Sequence, residues 1–106
     1  MRDIKDYSLK AHNTFGIDAK CSRFLEYESV DDAMEVAKIL RETAIPYIII
    51  GGGSNLLLTK DYEGIVVHSA VKGRHPDNGC RLVCGSGEVW DDVVAYCIAH
   101  GLYCME

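Results

Sequence analysis

The first half of the chain has the apolar pattern of a strand, a helix and a second strand. Residues 22–28 mix aromatic and charged side chains in rough alternation, which indicates a half-exposed strand. Ser29 is a candidate helix N-cap, because the acidic Asp32 follows it three positions later. A helix over residues 30–43 is predicted by apolar positions of helical period, namely Ala33, Ala37 and Leu40.

The second strand of this unit is predicted at residues 47–50, directly after Pro46. All four residues are apolar and three are β-branched, as in a strand that is buried on both faces. The unit is therefore a βαβ motif, for which we expect a right-handed crossover. Residues 1–12 are polar and patternless, and we expect a flexible lead or a loosely packed first turn there.

The second half of the chain has the pattern of short strands and one helix. Residues 61–64 are typical of a turn, and residues 65–68 predict a short strand. A further strand pair is expected around Lys72 and at residues 81–84, with turn-forming residues at 75–79 between the two strands. This half is predicted to be antiparallel or mixed, so the fold class is α+β.

A second helix is predicted over about residues 88–100, with Gly101 as a left-handed C-cap. Its broad apolar stripe consists of Val89, Trp90, Val93, Val94, Cys97 and Ile98. For the aromatic side chains of Trp90 and Tyr96 we favour core packing over contact with a cofactor.

Length and charge exclude several classes of protein. The 106 residues are enough for one domain with a real core. The net charge of -5 argues against a nucleic-acid partner, which is held by neutralising many phosphates. The apolar stretches are far shorter than the roughly 20 residues that span a bilayer, and the first residues have no signal-peptide pattern. We expect a cytoplasmic protein without a membrane partner.

The cysteines and histidines show no motif spacing. The five cysteines are odd in number and match neither a zinc pattern nor Cys-x-x-Cys, so we interpret them as reduced structural thiols. A metal pair of Cys80 and Cys84 is the weaker alternative, and we predict no metal site. We expect solvated or capping roles, and no catalytic role, for His12, His68, His75 and His100.

The glycine-rich loop after the second predicted strand is the strongest candidate for chemistry. It consists of Gly51, Gly52, Gly53, Ser54 and Asn55. Successive glycines let several backbone N–H groups approach one anion, and the serine and asparagine add short hydrogen-bonding side chains. The loop therefore predicts a phosphate-binding site for a nucleotide cofactor.

The loop matches neither common nucleotide-binding motif. A P-loop needs a lysine followed by serine or threonine, and a dinucleotide fingerprint needs a further glycine where the chain has Leu56. A glycine turn that only reverses the chain between two strands remains open on these residues alone.

Four segments taken together resemble one family in their order and spacing. These are residues 13–16 (Asn-Thr-Phe-Gly), 51–57 (the glycine loop and two leucines), 61–64 (Asp-Tyr-Glu-Gly) and 85–94. The chain from residue 13 onwards resembles the UDP-N-acetylenolpyruvoylglucosamine reductases.

This resemblance implies a flavoenzyme of peptidoglycan precursor synthesis. In that family NADPH reduces FAD, and the flavin then reduces the enolpyruvyl ether of a UDP-sugar to the lactyl ether of UDP-N-acetylmuramate. The implied fold is the first part of a two-subdomain FAD-binding fold of the PCMH type. By the same likeness, residues 51–55 contact the FAD pyrophosphate, while Asn13 and Thr14 brace the fold near the cofactor.

The resemblance also implies that the chain covers only part of the family's enzyme. A second flavin-binding segment and the catalytic serine or cysteine, glutamate and arginine would lie beyond residue 106. We therefore expect residues 13–106 to be the N-terminal part of the FAD domain, without catalytic residues, inactive alone and prone to self-association through uncovered strand edges. The alternatives are a stand-alone anion-binding or interaction module, and the flavin domain of a different oxidoreductase.

Overall fold

The computed structural model describes residues 1–13, 15–51, 59–77 and 81–101, which form two sheets and two α-helices. The main sheet has the strand order β1-β2-β4-β3. Its strands are β1 (Arg2–Ser8), β2 (Lys20–Tyr27), β3 (Tyr47–Ile50) and β4 (Tyr62–Ser69). The second sheet pairs β5 (Arg74–Asp77) with β6 (Arg81–Cys84), and the helices are α1 (Val30–Thr43) and α2 (Trp90–Ala99). The predicted α+β class is confirmed.

Helix α1 has the predicted bounds because its start signal is local. The Ser29 side chain accepts a hydrogen bond from the Asp32 backbone N–H at 3.1 Å, as an N-cap does. Ala44 ends the helix in the left-handed conformation, with φ of 52°. The buried Val36 packs the helix onto one face of the main sheet, against Leu25, Ile65 and Val67.

Strand β3 also has the predicted bounds, but the prediction that both its faces are buried is wrong. Tyr47 is 49% exposed and Ile49 is 67% exposed. The reason is topological: β4 lies between β2 and β3 and is parallel to both, so β3 is the last strand of the sheet among the residues that the structure describes. Helix α1 packs over β2 and β4 and leaves this side of β3 uncovered.

The expectation of a flexible lead over residues 1–12 is wrong, because most of these residues form β1. This strand pairs antiparallel with β2 from Arg2↔Glu26 to Ser8↔Lys20. The Arg23 guanidinium donates two hydrogen bonds to the Asp3 carboxylate, at 2.6 and 2.8 Å. Charged cross-strand pairs of this kind stabilise a strand whose own sequence has no apolar alternation.

The second half of the chain agrees with the predictions apart from its boundaries. β6 is confirmed at residues 81–84, whereas β5 includes residues 75–77, for which the sequence predicts a turn. β4 begins at Tyr62, inside the predicted turn, because Tyr62 already pairs with Cys21 of β2. Helix α2 is shorter than predicted, and Gly101 has the expected left-handed φ of 71°.

The core lies on both faces of the main sheet. The face that carries α1 includes Leu25, Ile65 and Val67, and the other face includes Leu9, Phe24 and Val66. Neither α-helix in the described part of the chain is long and apolar enough to cross a membrane.

Candidate functional site

A pocket of about 710 Å³ lies at the carboxyl ends of β3 and β4. Gly51 directly follows β3 and lines the pocket, as do His68 and Ser69 at the end of β4. Parallel strands end at the same edge of a sheet, and α/β proteins bind their ligands beyond this edge. The fold therefore places the first residue of the glycine loop at the expected ligand position.

The opposite wall of the pocket is formed by residues 86–91, at the start of α2. The Gly87 N–H donates a hydrogen bond to the Val71 carbonyl at 2.9 Å, and the hydroxyls of Ser69 and Ser86 are 2.5 Å apart. These contacts join the wall to the chain that leaves β4, so the two walls of the pocket keep a defined separation.

A lysine and the N-terminus of α2 are the positively charged features at the pocket. Lys72 lines the pocket, and its ammonium donates to the Gly87 carbonyl. The Glu88 carboxylate is engaged elsewhere, since it accepts from the Gly73 N–H at 2.9 Å and pairs with Arg74 at 3.8 Å. A lysine beside a helix N-terminus is an environment that favours an anionic ligand, although Asp91 in the first turn of α2 opposes it.

Of the five predicted loop residues, Gly51 is described and lines the pocket. A Cβ atom added at Gly51 would meet no atom within 4 Å, so the space beside its backbone is open. Gly52, Gly53, Ser54 and Asn55 lie outside the described residues. The predicted assignment of these five residues to the FAD pyrophosphate therefore stays a prediction.

Asn13 braces the chain around it, which is the local part of the role that the resemblance implied, while its nearness to the cofactor stays a prediction. Its side-chain amide donates to the carbonyls of Leu9 at 2.7 Å and of Ile17 at 3.1 Å, and its Oδ1 accepts from the Ile17 N–H at 3.0 Å. Asn13 is buried, and these three bonds close the segment between β1 and β2. Thr14 lies outside the described residues.

The structure brings together two histidines that the sequence analysis left unassigned. His68 Nδ1 is 2.8 Å from a carboxylate oxygen of the buried Glu26, and the rings of His12 and His68 have centroids 4.9 Å apart. His12 Nε2 is 3.0 Å from the Tyr7 hydroxyl, and Arg2 pairs with Glu26 at 3.4 Å. Burial, followed by the nearby His68, lowers the pKa of His12 below its ordinary 6.5.

Sequence spacing could not have revealed this group. Glu26 and His68 are 42 residues apart, and they meet because they are register partners on the parallel strands β2 and β4. In-register partners on parallel strands present their side chains to the same face, but the register is known only once the strands are paired.

The prediction that Trp90 packs in the core is wrong for the described part of the chain. Trp90 is 59% exposed and lines the pocket, because it is the first residue of α2 and lies off the buried row of Val93 and Cys97. Tyr96 is half-buried; its ring stacks on His100, and the Arg74 guanidinium lies 5.3 Å from its centroid.

The described residues contain no group of three or more His, Cys, Asp and Glu side chains that could hold a metal ion. Cys21, Cys84 and Cys97 are free thiols, and burial raises the pKa of Cys21. Cys80 and Cys104 lie outside the part of the chain that the structure describes, so the Cys80–Cys84 alternative is not addressed by it.

The fold and the pocket define a cofactor-binding domain, with a cavity at the carboxyl edge of parallel strands. Its volume lies within the roughly 300–1,000 Å³ of small-molecule and cofactor sites. The chain belongs to the FAD binding domain family, which matches residues 22–105.

Relatives of the chain confirm the resemblance drawn from its motifs. It is 48% identical to the UDP-N-acetylenolpyruvoylglucosamine reductase of Bacteroides fragilis strain YCH46, over 94% of this chain and 31% of the relative. It is 38% identical to the enzyme of that name from Shewanella sediminis, over 92% of this chain and 29% of the relative. The chain thus spans less than a third of the length of these relatives.

A solved structure shows the same fold. The UDP-N-acetylenolpyruvylglucosamine reductase of Thermus caldophilus superposes with a TM-score of 0.59 at 21% identity, covering 94% of this chain and 34% of that protein. The fold predicted from the resemblance is therefore supported by coordinates as well as by sequence.

Proposed function

We propose that this chain binds FAD in the pocket between β3, β4 and α2, as part of a UDP-N-acetylenolpyruvoylglucosamine reductase. The observation that carries the proposal is a cofactor-sized cavity at the carboxyl ends of parallel strands, lined by an open Gly51, in a chain of the FAD binding domain family. The names of its relatives support the reductase as the parent enzyme.

The residues that hold the cofactor in this proposal are Gly51, Gly52, Gly53, Ser54 and Asn55, through the pyrophosphate. Apart from its chain neighbours, no atom lies within 4 Å of the place where a Cβ of Gly51 would be, which leaves room for a phosphate group. Lys72 supplies a positive charge at the same pocket. When bound, FAD supplies the electron-transfer chemistry, and the chain supplies binding and orientation.

The activity proposed for the whole enzyme is the NADPH-dependent reduction of UDP-N-acetylglucosamine enolpyruvate to UDP-N-acetylmuramate in the cytoplasm. Residues 13–106 are proposed as the N-terminal part of the FAD domain, with β1 completing its sheet. No residue of this chain is assigned to catalysis, and we propose that the chain alone does not turn over. The exposed edge strand β3 is proposed to mediate self-association.

The experiment that tests the proposal is a titration of the purified chain with FAD, followed by the flavin absorbance and fluorescence. Gly51→Ala and Gly51→Glu are expected to leave the melting temperature of the free chain unchanged, because nothing lies within 4 Å of the added Cβ. Gly51→Glu is expected to weaken FAD binding roughly 100-fold, because a carboxylate beside a phosphate costs several kcal/mol. Gly51→Ala should have a smaller effect in the same direction.

A matched control adds the same charge away from the pocket. Ala37 is exposed on α1 and does not line the cavity, so Ala37→Glu should bind FAD as the unchanged chain does. A chain that shows no binding in the titration up to millimolar FAD contradicts the proposal and favours the stand-alone module. Equal binding by Gly51→Glu and Ala37→Glu would place the cofactor elsewhere.

A further inference from the structure

His68 belongs to two features of the molecule at once. It lines the pocket that Gly51 opens into, and its Nδ1 is bound to Glu26 on the neighbouring strand. Its side chain is 19% exposed and that of Glu26 is 11% exposed, so the pair is largely withdrawn from solvent and only part of the imidazole meets the cavity.

The contacts around His68 hold its ring in one orientation. Glu26 is itself held by Arg2 at 3.4 Å, and the His68 ring lies among the rings of His12 and Phe24, with centroid distances of 4.9 and 6.2 Å. A neutral histidine whose Nδ1 is bound to a carboxylate has a defined tautomer, with the proton on Nδ1 and a lone pair on Nε2. The ring is therefore preorganised to accept a hydrogen bond at Nε2.

We propose that His68 is a ligand-binding residue whose Nε2 accepts a hydrogen bond from a hydroxyl group of the flavin nucleotide, and that Glu26 is the positioning residue that holds its ring. This inference rests on the proposed function, because it names a further contact within the same FAD pocket. A ribityl hydroxyl of the flavin and a ribose hydroxyl of the adenosine share this chemistry.

Two substitutions of His68 separate ligand binding from packing. In His68→Gln, the amide group reaches the position of Nε2 and still offers a carbonyl oxygen there. In His68→Asn, the shorter amide reaches only the position of Nδ1 and keeps the bond to Glu26. The FAD dissociation constant should rise about three- to tenfold in His68→Asn, as for one lost hydrogen bond, and stay within about twofold in His68→Gln.

Controls for this experiment use a second histidine and the positioning residue. His75 is exposed on β5 and does not line the pocket, so His75→Asn should leave the FAD dissociation constant unchanged. Glu26→Gln keeps an acceptor for Nδ1 and should retain binding, whereas Glu26→Leu should reproduce the loss of His68→Asn. The melting temperature of each free chain verifies the fold.

The source of the hydroxyl group follows from competition experiments. If the hydroxyl belongs to the ribose, His68→Asn should also bind ADP more weakly than the unchanged chain does, as measured by displacement of FAD. If it belongs to the ribityl chain, His68→Asn should instead bind riboflavin more weakly. Equal FAD affinity of His68→Asn and the unchanged chain, or equal losses in His68→Asn and His68→Gln, would overturn the inference. Either result leaves the proposed function intact, whereas an unchanged chain that does not bind FAD overturns the proposed function itself.

Discussion

The buried side-chain amide of Asn13 holds together the segment between β1 and β2. Its donors and its acceptor all bind backbone groups, of Leu9 and Ile17, so the amide ties the start of the short 3-10 helix Lys10–His12 to the irregular chain that follows it. The same segment includes His12, whose ring reaches the Tyr7 hydroxyl and the His68 ring. The brace at Asn13 is therefore adjacent in the chain to one member of the histidine group.

We expect His12 to make the stability of the chain depend on pH. Burial and His68 lower its pKa, Arg2 also lowers it, and Glu26 opposes them, so the folded chain favours the neutral ring. Below pH 6.5 the unfolded chain binds more protons than the folded chain, and the free energy of unfolding should decrease as the pH falls. Above pH 6.5 this contribution is fully present.

Urea denaturation between pH 7.5 and 5.0 measures this effect. His12→Phe keeps an aromatic ring but cannot titrate, so it should lose less stability than the unchanged chain across that range. His75→Phe, at an exposed position, should retain the original slope, and an unchanged slope in His12→Phe would contradict the assignment.

Residue roles were predictable from the sequence only where they depend on neighbouring positions or on the family resemblance. The local bracing by Asn13 came from the resemblance, and the place of Gly51 at the pocket came from the glycine run after an apolar strand, while its contact with a phosphate stays a prediction. The pair of Glu26 and His68 depends on strand register, and the exposure of Trp90 depends on which face of α2 is covered. Neither can be worked out from spacing along one chain.

Elements were predictable where their signals are local. α1 carries its cap, its period and its end within residues 29–44, and its bounds were predicted correctly. β1 was missed because its stabilisation comes from β2, through pairs such as Asp3 with Arg23. The bounds of β3 were correct, but its burial was wrong because strand order, which inserts β4 between β2 and β3, is not written in the local pattern.

The junction between the two sheets depends on two glycines. The N–H groups of Gly85 and Gly87 donate to the carbonyls of Gly73 and Val71, each at 2.9 Å. A Cβ atom on Gly87 would lie 2.6 Å from the Ser69 carbonyl oxygen and 2.8 Å from backbone atoms of Ala70. These contacts are too short, and backbone atoms cannot move aside as a side-chain end can.

We therefore expect Gly87→Ala to displace the α2 wall of the pocket. The free energy of unfolding should fall by about 1–3 kcal/mol, as for overpacking, and FAD binding should weaken as well. Gly101→Ala is the matched control, because it strains a left-handed position that has no neighbour within 4 Å. It should lower the melting temperature without changing the FAD dissociation constant, and the prediction fails if Gly87→Ala behaves in the same way.

As a whole, the molecule is less compact than its length allows. Its radius of gyration is 15.8 Å, against about 13 Å for a typical domain of 100 residues. One helix covers one face of a four-stranded sheet, and the edge strand β3 extends beyond that helix. The uncovered area includes the exposed apolar side chains of Met34, Tyr47 and Ile49.

An edge strand with exposed apolar side chains tends to pair with another chain, and here the expected partner is a second copy. Ile49→Lys places a charge in the middle of this area and should convert the associating chain to a monomer in sedimentation at micromolar concentration. Val83→Lys is the matched control, because Val83 is similarly apolar and exposed but lies on β6 of the other sheet. A monomeric unchanged chain would refute the association, and equal effects of the two lysines would show that it does not occur through β3.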